Sequence, residues 1–249
     1  MAATDRGHAR RVALITGGAR RLGAAITESF AARGYDLVLH HGHSARDAAQ
    51  LAERLQGEHA VSVHVVSEDL ADAAAPARLV DAAMDRFGAL DVVVSSASSF
   101  LIKPFDQVTP EQWMAVEAVN LRAPFFLMQA AAKRMNDGGV IIQMSDHLAF
   151  EYLTPELMVH QATKGGVTTL VYAMAAALAP RIRVNAVAPG MVLAPAGMSV
   201  QAYEKFMRDV PLARSGAPTD AVQAIHFLVE APYVTGEILR VDGGRHLWR

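Results

Sequence analysis

The sequence contains no cysteine, which excludes both a disulfide framework and a thiolate-ligated metal centre. Unbalanced charge is missing too. Lys and Arg number 23 against 25 Asp and Glu, and the net charge of −2 gives nucleic acid or an anionic membrane no electrostatic handle. The longest apolar stretch, residues 170–179, falls short of the ~20 residues that a bilayer span needs. Residues 1–10 are polar and lack the apolar segment of a secretory signal. Residues 1–9 are therefore expected to form a flexible tail, and the protein to work in the cytoplasm. What is present is a chain of 249 residues, 52% of them hydrophobic, enough to bury one large core.

Short runs rich in Val and Ile at residues 12–15, 37–39, 61–66, 92–94, 140–144, 184–187 and 238–241 read as strands covered on both faces. Residues 22–33, 45–55, 77–87, 110–134, 165–179 and 219–230 carry helical periodicity between them. Thr109, Pro110 and Gln112 supply an N-cap, an N1 proline and the partner of a capping box. Thr219 and Asp220 open the last helix. The alternation predicts an α/β fold, a single doubly wound Rossmann-type parallel sheet of about seven strands with helices on both faces, in one domain over residues 10–249. A closed eight-stranded barrel is the rival arrangement. The glycine-bearing loop after the first strand argues for the open sheet.

That loop reads Ile15-Thr16-Gly17-Gly18-Ala19-Arg20-Arg21-Leu22-Gly23. Small residues between a strand and a helix let the backbone approach a pyrophosphate, and the helix N-terminus offers it free N–H groups. Gly17, Arg20, Arg21 and Leu22 are therefore candidate dinucleotide contacts; a tight turn without a ligand is the plainer alternative. The second strand ends His40-His41-Gly42-His43-Ser44, without the carboxylate that an NAD site uses to hold ribose hydroxyls. Asp36 lies at the other end of that strand, and Asp47 in the next helix. Arg20 or Arg21, with His43 and Ser44, would instead serve a 2′-phosphate, which favours NADPH. The three histidines otherwise read as a polar loop, and no second ligand cluster points to a metal.

Further motifs stand in a set order: Thr16-Gly17 with Gly23, Asp69-Leu70 after the third strand, Asn120-Leu121, Lys164, Pro189-Gly190 and Val241-Asp242-Gly243-Gly244. In order and spacing they resemble the short-chain dehydrogenase/reductase family, over essentially the whole chain. Within it the sequence is most similar to the pteridine reductases. Arg21 replaces the middle glycine, Ser98-Ser99-Phe100 follow the fourth strand, and Met198, Tyr203 and Val210-Pro211-Leu212 fall in a similar substrate loop. The resemblance implies an NADPH site that also takes in Asp69, Leu70, Ser96, Ala97, Lys164, Pro189 and Gly190. It implies substrate contacts from Arg21, Ser98, Phe100, Asp146, Met191, Met198 and Tyr203. A homotetramer joined through helices 110–134 and 165–179 is implied as well. Val167, Leu170, Val171, Met174 and Leu178 recur there at helical spacing and suit either a core face or that interface.

In this family a tyrosine donates the proton, a lysine four residues later tunes it and holds the nicotinamide ribose, a serine orients the substrate, and an asparagine supports a water relay. Asn120 and Lys164 match those roles. His160 stands at the tyrosine position. Asp146 stands at the serine position, with Ser145 one residue earlier. A neighbouring Lys164 ammonium is expected to disfavour imidazolium, leaving His160 a hydrogen-bond donor or shuttle rather than an acid. Asp146 matches the aspartate that pteridine reductases use to protonate a ring nitrogen, and would be the proton source. The expected activity is NADPH-dependent hydride transfer to a C=N bond (pterin-like or cyclic imine) or a C=O bond of a small molecule. Asn120, Asp146, His160 and Lys164 would form the catalytic group, with Phe100 stacking the substrate. The alternatives are a non-redox acid/base enzyme on the same scaffold and an NADP-binding protein without reductase activity. Asp146 also suits a plain capping role, and Tyr152 is a candidate to swing in for the missing phenol. Met191, Met198 and Met207, with Pro195 and Gly197, read as an apolar loop that closes over the site.

Overall fold

Strands and helices alternate along the computed structural model, which describes residues 10–150, 155–194 and 198–247. In chain order the elements are β1 (Val12–Thr16), α1 (Arg21–Ala32), β2 (Asp36–His41), α2 (Ala45–Glu58), β3 (Val63–Ser67), α3 (Ala75–Phe87) and β4 (Val92–Ser95). They continue with α4 (Pro110–Glu117), α5 (Ala123–Arg134), β5 (Gly139–Met144), α6 (Met158–Leu178), β6 (Ile182–Pro189), α7 (Val200–Arg208), α8 (Pro218–Glu230) and β7 (Ile238–Val241). All seven strands are parallel, in the order β3-β2-β1-β4-β5-β6-β7.

The period of two along each strand divides the core. Ala13, Ile15, Leu37, Leu39, Val92 and Val94 pack on one face against α1, α2 and α8. Leu14, Val38, Val93 and Ile141 pack on the other, against α3, α5 and α6. Each such side chain, fully buried, contributes roughly 1.5–3 kcal/mol. Because β1 and β4 are neighbours while their following helices leave on opposite faces, a crevice opens beyond their C-terminal ends. That crevice positions the site.

The α4 start is the expected capping box: the Gln112 backbone N–H donates to Thr109 Oγ1 at 3.3 Å, and the Thr109 N–H donates to Gln112 Oε1 at 3.2 Å. Four expectations need correction. Helix 110–134 is interrupted by a π-helical turn, Ala118–Arg122, which separates α4 from α5. Helix 165–179 begins a full two turns earlier, at Met158, so His160 and Lys164 stand one turn apart on α6. His40 and His41 belong to β2 and are buried rather than lying in a polar loop. The segment read as a closing loop contains helix α7, capped by Ser199, whose Oγ accepts from the Ala202 N–H at 3.1 Å. Residues 1–9, Tyr152, Pro195 and Gly197 lie outside the described residues. Among the described residues no helix is long and apolar enough to cross a membrane.

Candidate active site

A cleft of about 710 Å³ runs along the crevice from the first loop to α6. Its floor at one end is the turn after β1. Gly17 has φ +63°, and a Cβ added there would sit 2.8 Å from Ala97 Cα; one added at Gly23 would sit 2.0 Å from the Gly17 carbonyl oxygen. Glycine is needed at both for the loop to lie flat between β4 and α1. Thr16 Oγ1 accepts from the N–H groups of Ser96 and Ala97 at 3.0 and 3.2 Å, pinning the end of β4 beside the loop. Sequence reasoning missed a third fastener. His40 Nδ1 accepts from the Gly17 N–H at 3.1 Å, while Nε2 donates to the Glu68 carbonyl at 3.0 Å. That pattern fixes one neutral tautomer, and burial pushes the His40 pKa down in keeping with it. Its place near the C-terminal end of a buried strand, two residues before Gly42, was the available signal.

The cleft wall after β2 is Gly42, His43 and Ser44, with Arg20 and Arg21 opposite and no carboxylate among these five. Arg20 makes an ion pair with Asp47, Nε to Oδ2 3.7 Å, and both side chains are well exposed. Such a pair is worth roughly 0–1 kcal/mol and yields readily to a phosphate. Arg21 is the unusual residue, with φ +51°, the left-handed region where a non-glycine residue costs about 1–3 kcal/mol. From there its guanidinium donates to the Ala194 carbonyl at 3.2 Å, beyond the end of β6. Small residues, a helix N-terminus and basic side chains together fit a dinucleotide phosphate. Asp69, Leu70, Ser96, Ala97 and Pro189 line the same cleft.

The other end of the cleft gathers Asp146, His160 and Lys164. Asp146 follows β5, and its Oδ1 caps the 147–149 turn by accepting the Leu148 N–H at 2.9 Å, while Oδ2 lies 3.2 Å from His160 Nε2. Capping and site contact are therefore made by one carboxylate. His147 Nδ1 stands 2.9 Å from Oδ1. Burial opposes the charge on Asp146, but the close approach of His147, the hydrogen bond from His160 and the Leu148 N–H outweigh it and hold the carboxyl far below the usual range. At neutral pH Asp146 is then an anion that accepts hydrogen bonds, not the protonated carboxyl that a proton source requires. The His160 ring is buried, packs 4.4 Å from Phe100 between centroids, and among the described residues has no hydrogen-bond partner at Nδ1. What faces the imidazole is the Asp146 carboxylate rather than the Lys164 ammonium. Lys164 Nζ instead donates to the Met144 carbonyl at 2.7 Å, and burial pushes its pKa down to about 8 despite the attraction of Asp146.

That burial has a measurable consequence. Lys164 titrates near 8 in the folded protein and near ~10.4 in an unfolded chain. Between these values the unfolded chain binds the extra proton, so the Lys164 contribution makes stability rise as pH climbs from about 8 to about 10. Lys164→Met cannot titrate and is expected to lack that rise. Melting temperatures of both proteins across this window test it, and parallel curves would refute it.

Asn120, expected to support a water relay to Lys164, makes its side-chain hydrogen bonds to the 98–99 loop and to α6. In the π-helical turn, its Oδ1 accepts from the Ser99 N–H at 2.7 Å and from Ser98 Oγ at 3.3 Å, and its Nδ2 donates to the Ser99 carbonyl and to Thr163 Oγ1 at 2.8 and 3.3 Å. It splints the 98–99 loop to α6 from behind the cleft. Ser98 lines the cleft and Ser145 does too, its hydroxyl 3.3 Å from Thr168 Oγ1 on α6. Gly190 and Met191 wall a separate cavity of about 170 Å³ beneath α7, with Phe206 and Met207. Met198 and Tyr203 are half-buried and wall neither cavity. Among the described residues no three His, Asp or Glu side chains are grouped to hold a metal.

The family profile described as "Enoyl-(Acyl carrier protein) reductase" matches residues 17–246. Versicolorin reductase 1 of Aspergillus parasiticus is 34% identical over 251 residues, covering 94% of this chain and 95% of its own. A blue fluorescent protein from a metagenomic library, solved in complex with NADPH, superposes with a TM-score of 0.89 at 31% identity, over 95% of this chain and 98% of its own. A short-chain dehydrogenase/reductase from Serratia marcescens superposes at 0.90 and 30% identity, over 96% and 98%.

Proposed function

The chain belongs to the short-chain dehydrogenase/reductase family, and on that premise we propose that it is a cytoplasmic, homotetrameric, NADPH-dependent reductase of the pteridine-reductase type. Its substrate is a small molecule reduced at a C=N bond, pterin-like or a cyclic imine, or at a C=O bond. The observation that carries the reading is the 3.2 Å pair of His160 and Asp146 in the cleft, where the family has tyrosine and serine.

When bound, the nicotinamide cofactor supplies the hydride. Gly17, Leu22, Ser96, Ala97 and Pro189 would hold the dinucleotide, with Arg20, Arg21, His43 and Ser44 around a 2′-phosphate. The lack of an acid after β2 and the NADPH held by the similar blue fluorescent protein support that choice of cofactor. Asp146 accepts from His160 Nε2 and balances positive charge on the ring, so that the pair, both members lining the cleft, would hand a proton to a developing amine or alkoxide. A C=N acceptor needs the least help, because its nitrogen is itself basic. Phe100 packed against the imidazole offers a flat ring a surface, and Arg21 in place of the glycine agrees with the pteridine-reductase subtype. The tetramer is supported by a shallow apolar groove of Leu121, Phe125, Gly166 and Leu170, and a sizing experiment that returns a monomer refutes it.

The test follows NADPH oxidation with a dihydropterin, cyclic imines and ketones from about pH 5 to 8, around the titration of imidazole. Oxidation with at least one of these acceptors is expected in wild type, and its loss in His160→Leu. NADPH binding without oxidation at any pH would overturn the reductase reading.

A further inference from the structure

Asp146 has two histidine neighbours, and only one faces the cleft. His147, the other, is buried on the far side of the carboxylate, with Nδ1 2.9 Å from Oδ1. Its ring meets Phe206 of α7 edge-on, centroids 6.0 Å apart and planes at 89°. Phe206 is held in turn from the C-terminal turn. The Arg245 guanidinium lies 4.0 Å over its ring, donates to the Phe206 carbonyl at 3.2 Å, and stands 3.6 Å from Asp209 at the end of α7. The segment that walls the smaller cavity is thus connected, contact by contact, to the carboxylate that orients His160.

We propose that His147 is a positioning residue that ties helix α7 and the C-terminal turn to the Asp146–His160 pair, with Phe206 setting the His147 ring and His147 setting the Asp146 carboxylate. The proposal rests on the reading of Asp146 and His160 as the proton-handling pair. Two arguments carry it. First, Oδ1 is held by the Leu148 N–H and approached by His147 while Oδ2 meets His160; removing His147 leaves Oδ1 on the Leu148 N–H alone and loosens the carboxylate's hold on His160. Second, burial works against the charge on Asp146, and the His147 ring at 2.9 Å is the largest influence opposing burial. Among the described residues, the charged or titratable groups facing Asp146 are His147, His160 and, at longer range, Lys164. Lys164 and His160 remain in place when His147 is changed, so the effect of His147 is separable.

The experiment uses the intact protein without turnover, so that its outcome is independent of whether a substrate is ever found. The side-chain carboxyl of Asp146 is followed by carbon-13 NMR as pH is lowered, in wild type, His147→Leu, His147→Asn and Phe206→Ala. Wild-type Asp146 is expected to stay ionised to at least about pH 4, the ordinary range for aspartate. In His147→Leu burial prevails, and protonation should move into the window of about pH 4–6, a shift of at least tenfold in proton affinity. His147→Asn presents an amide N–H near the place of Nδ1 and should restore most of the wild-type behaviour. Phe206→Ala leaves His147 intact but removes the ring beside it, and should shift Asp146 in the same direction by less. Asp146 titrating as wild type in His147→Leu overturns the role of His147, and an unmoved Phe206→Ala, whose change is on a half-buried helix side chain, overturns the link to α7. A failure of NADPH oxidation in wild type, with these shifts present, would count against the reductase reading alone.

Discussion

Asp146→Asn is expected to lower NADPH-dependent turnover by roughly 10²–10⁴-fold, the range over which a positioned proton-transfer group acts. The substitution keeps shape and keeps an oxygen for the Leu148 N–H, so the turn at 147–149 should survive. Lost are the charge and an acceptor. An amide offers one oxygen where the carboxylate offered two, so with that oxygen kept for the Leu148 N–H the NH2 points at the His160 ring nitrogen, 3.2 Å from Oδ2 in wild type. His160 then loses the anion that compensates its proton, or its fixed orientation, or both. NADPH affinity, followed by cofactor fluorescence, should change little, because the dinucleotide loop lies at the other end of the cleft. Turnover within a few-fold of wild type would remove Asp146 from the chemistry and leave it a cap.

Gly23→Ala carries the largest expected effect on the cofactor end. Its Cβ would lie 2.0 Å from the Gly17 oxygen, 2.9 Å from the Gly17 carbonyl carbon and 3.1 Å from Gly18 Cα, all backbone atoms with no rotamer by which to escape. The loop must lift off α1, and the N–H groups aimed at a phosphate move with it. Loss of NADPH binding by well over tenfold is expected, with stability lowered by about 1–3 kcal/mol from overpacking. Gly165→Ala supplies the contrast. It lies inside α6 with nothing within 4 Å of the added carbon, so the better helix former should stabilise by about 0.5–1 kcal/mol. Equal affinities in Gly23→Ala and wild type would show that the loop tolerates the shift.

The sheet was legible because strands buried on both faces leave a plain record in Val, Ile and Leu, and the parallel order follows from helices between every pair. The glycine loop was legible for the same kind of reason: Gly17 and Gly23 sit where backbone must touch backbone. The interruption at Ala118–Arg122 was not. A π-helical turn adds one residue to a continuous helical pattern, so periodicity alone reads straight across it, although Pro124 at the start of α5 marked the break. Yet that turn is where Asn120 sits and reaches the 98–99 loop. Helix α7 was hidden by its surroundings, being short and following a segment rich in Pro and Gly, although Ser199 gave a capping signal. The role of Asp146 was misread because a motif gives the residue and not its neighbours. Whether a carboxyl gives or takes a proton is decided by His147 and Leu148, whose approach is a product of the fold.

Arg21 illustrates how such a site constrains the history of its own sequence. Glycine would adopt its left-handed backbone without strain, so selection for heat resistance alone should return position 21 to glycine, a gain of roughly 1 kcal/mol in a single codon change. The same step would delete the guanidinium that spans from the phosphate loop to Ala194. Laboratory lineages evolved for thermal tolerance and lineages evolved for turnover should therefore part company at this codon, and the residue found there reports which pressure was applied.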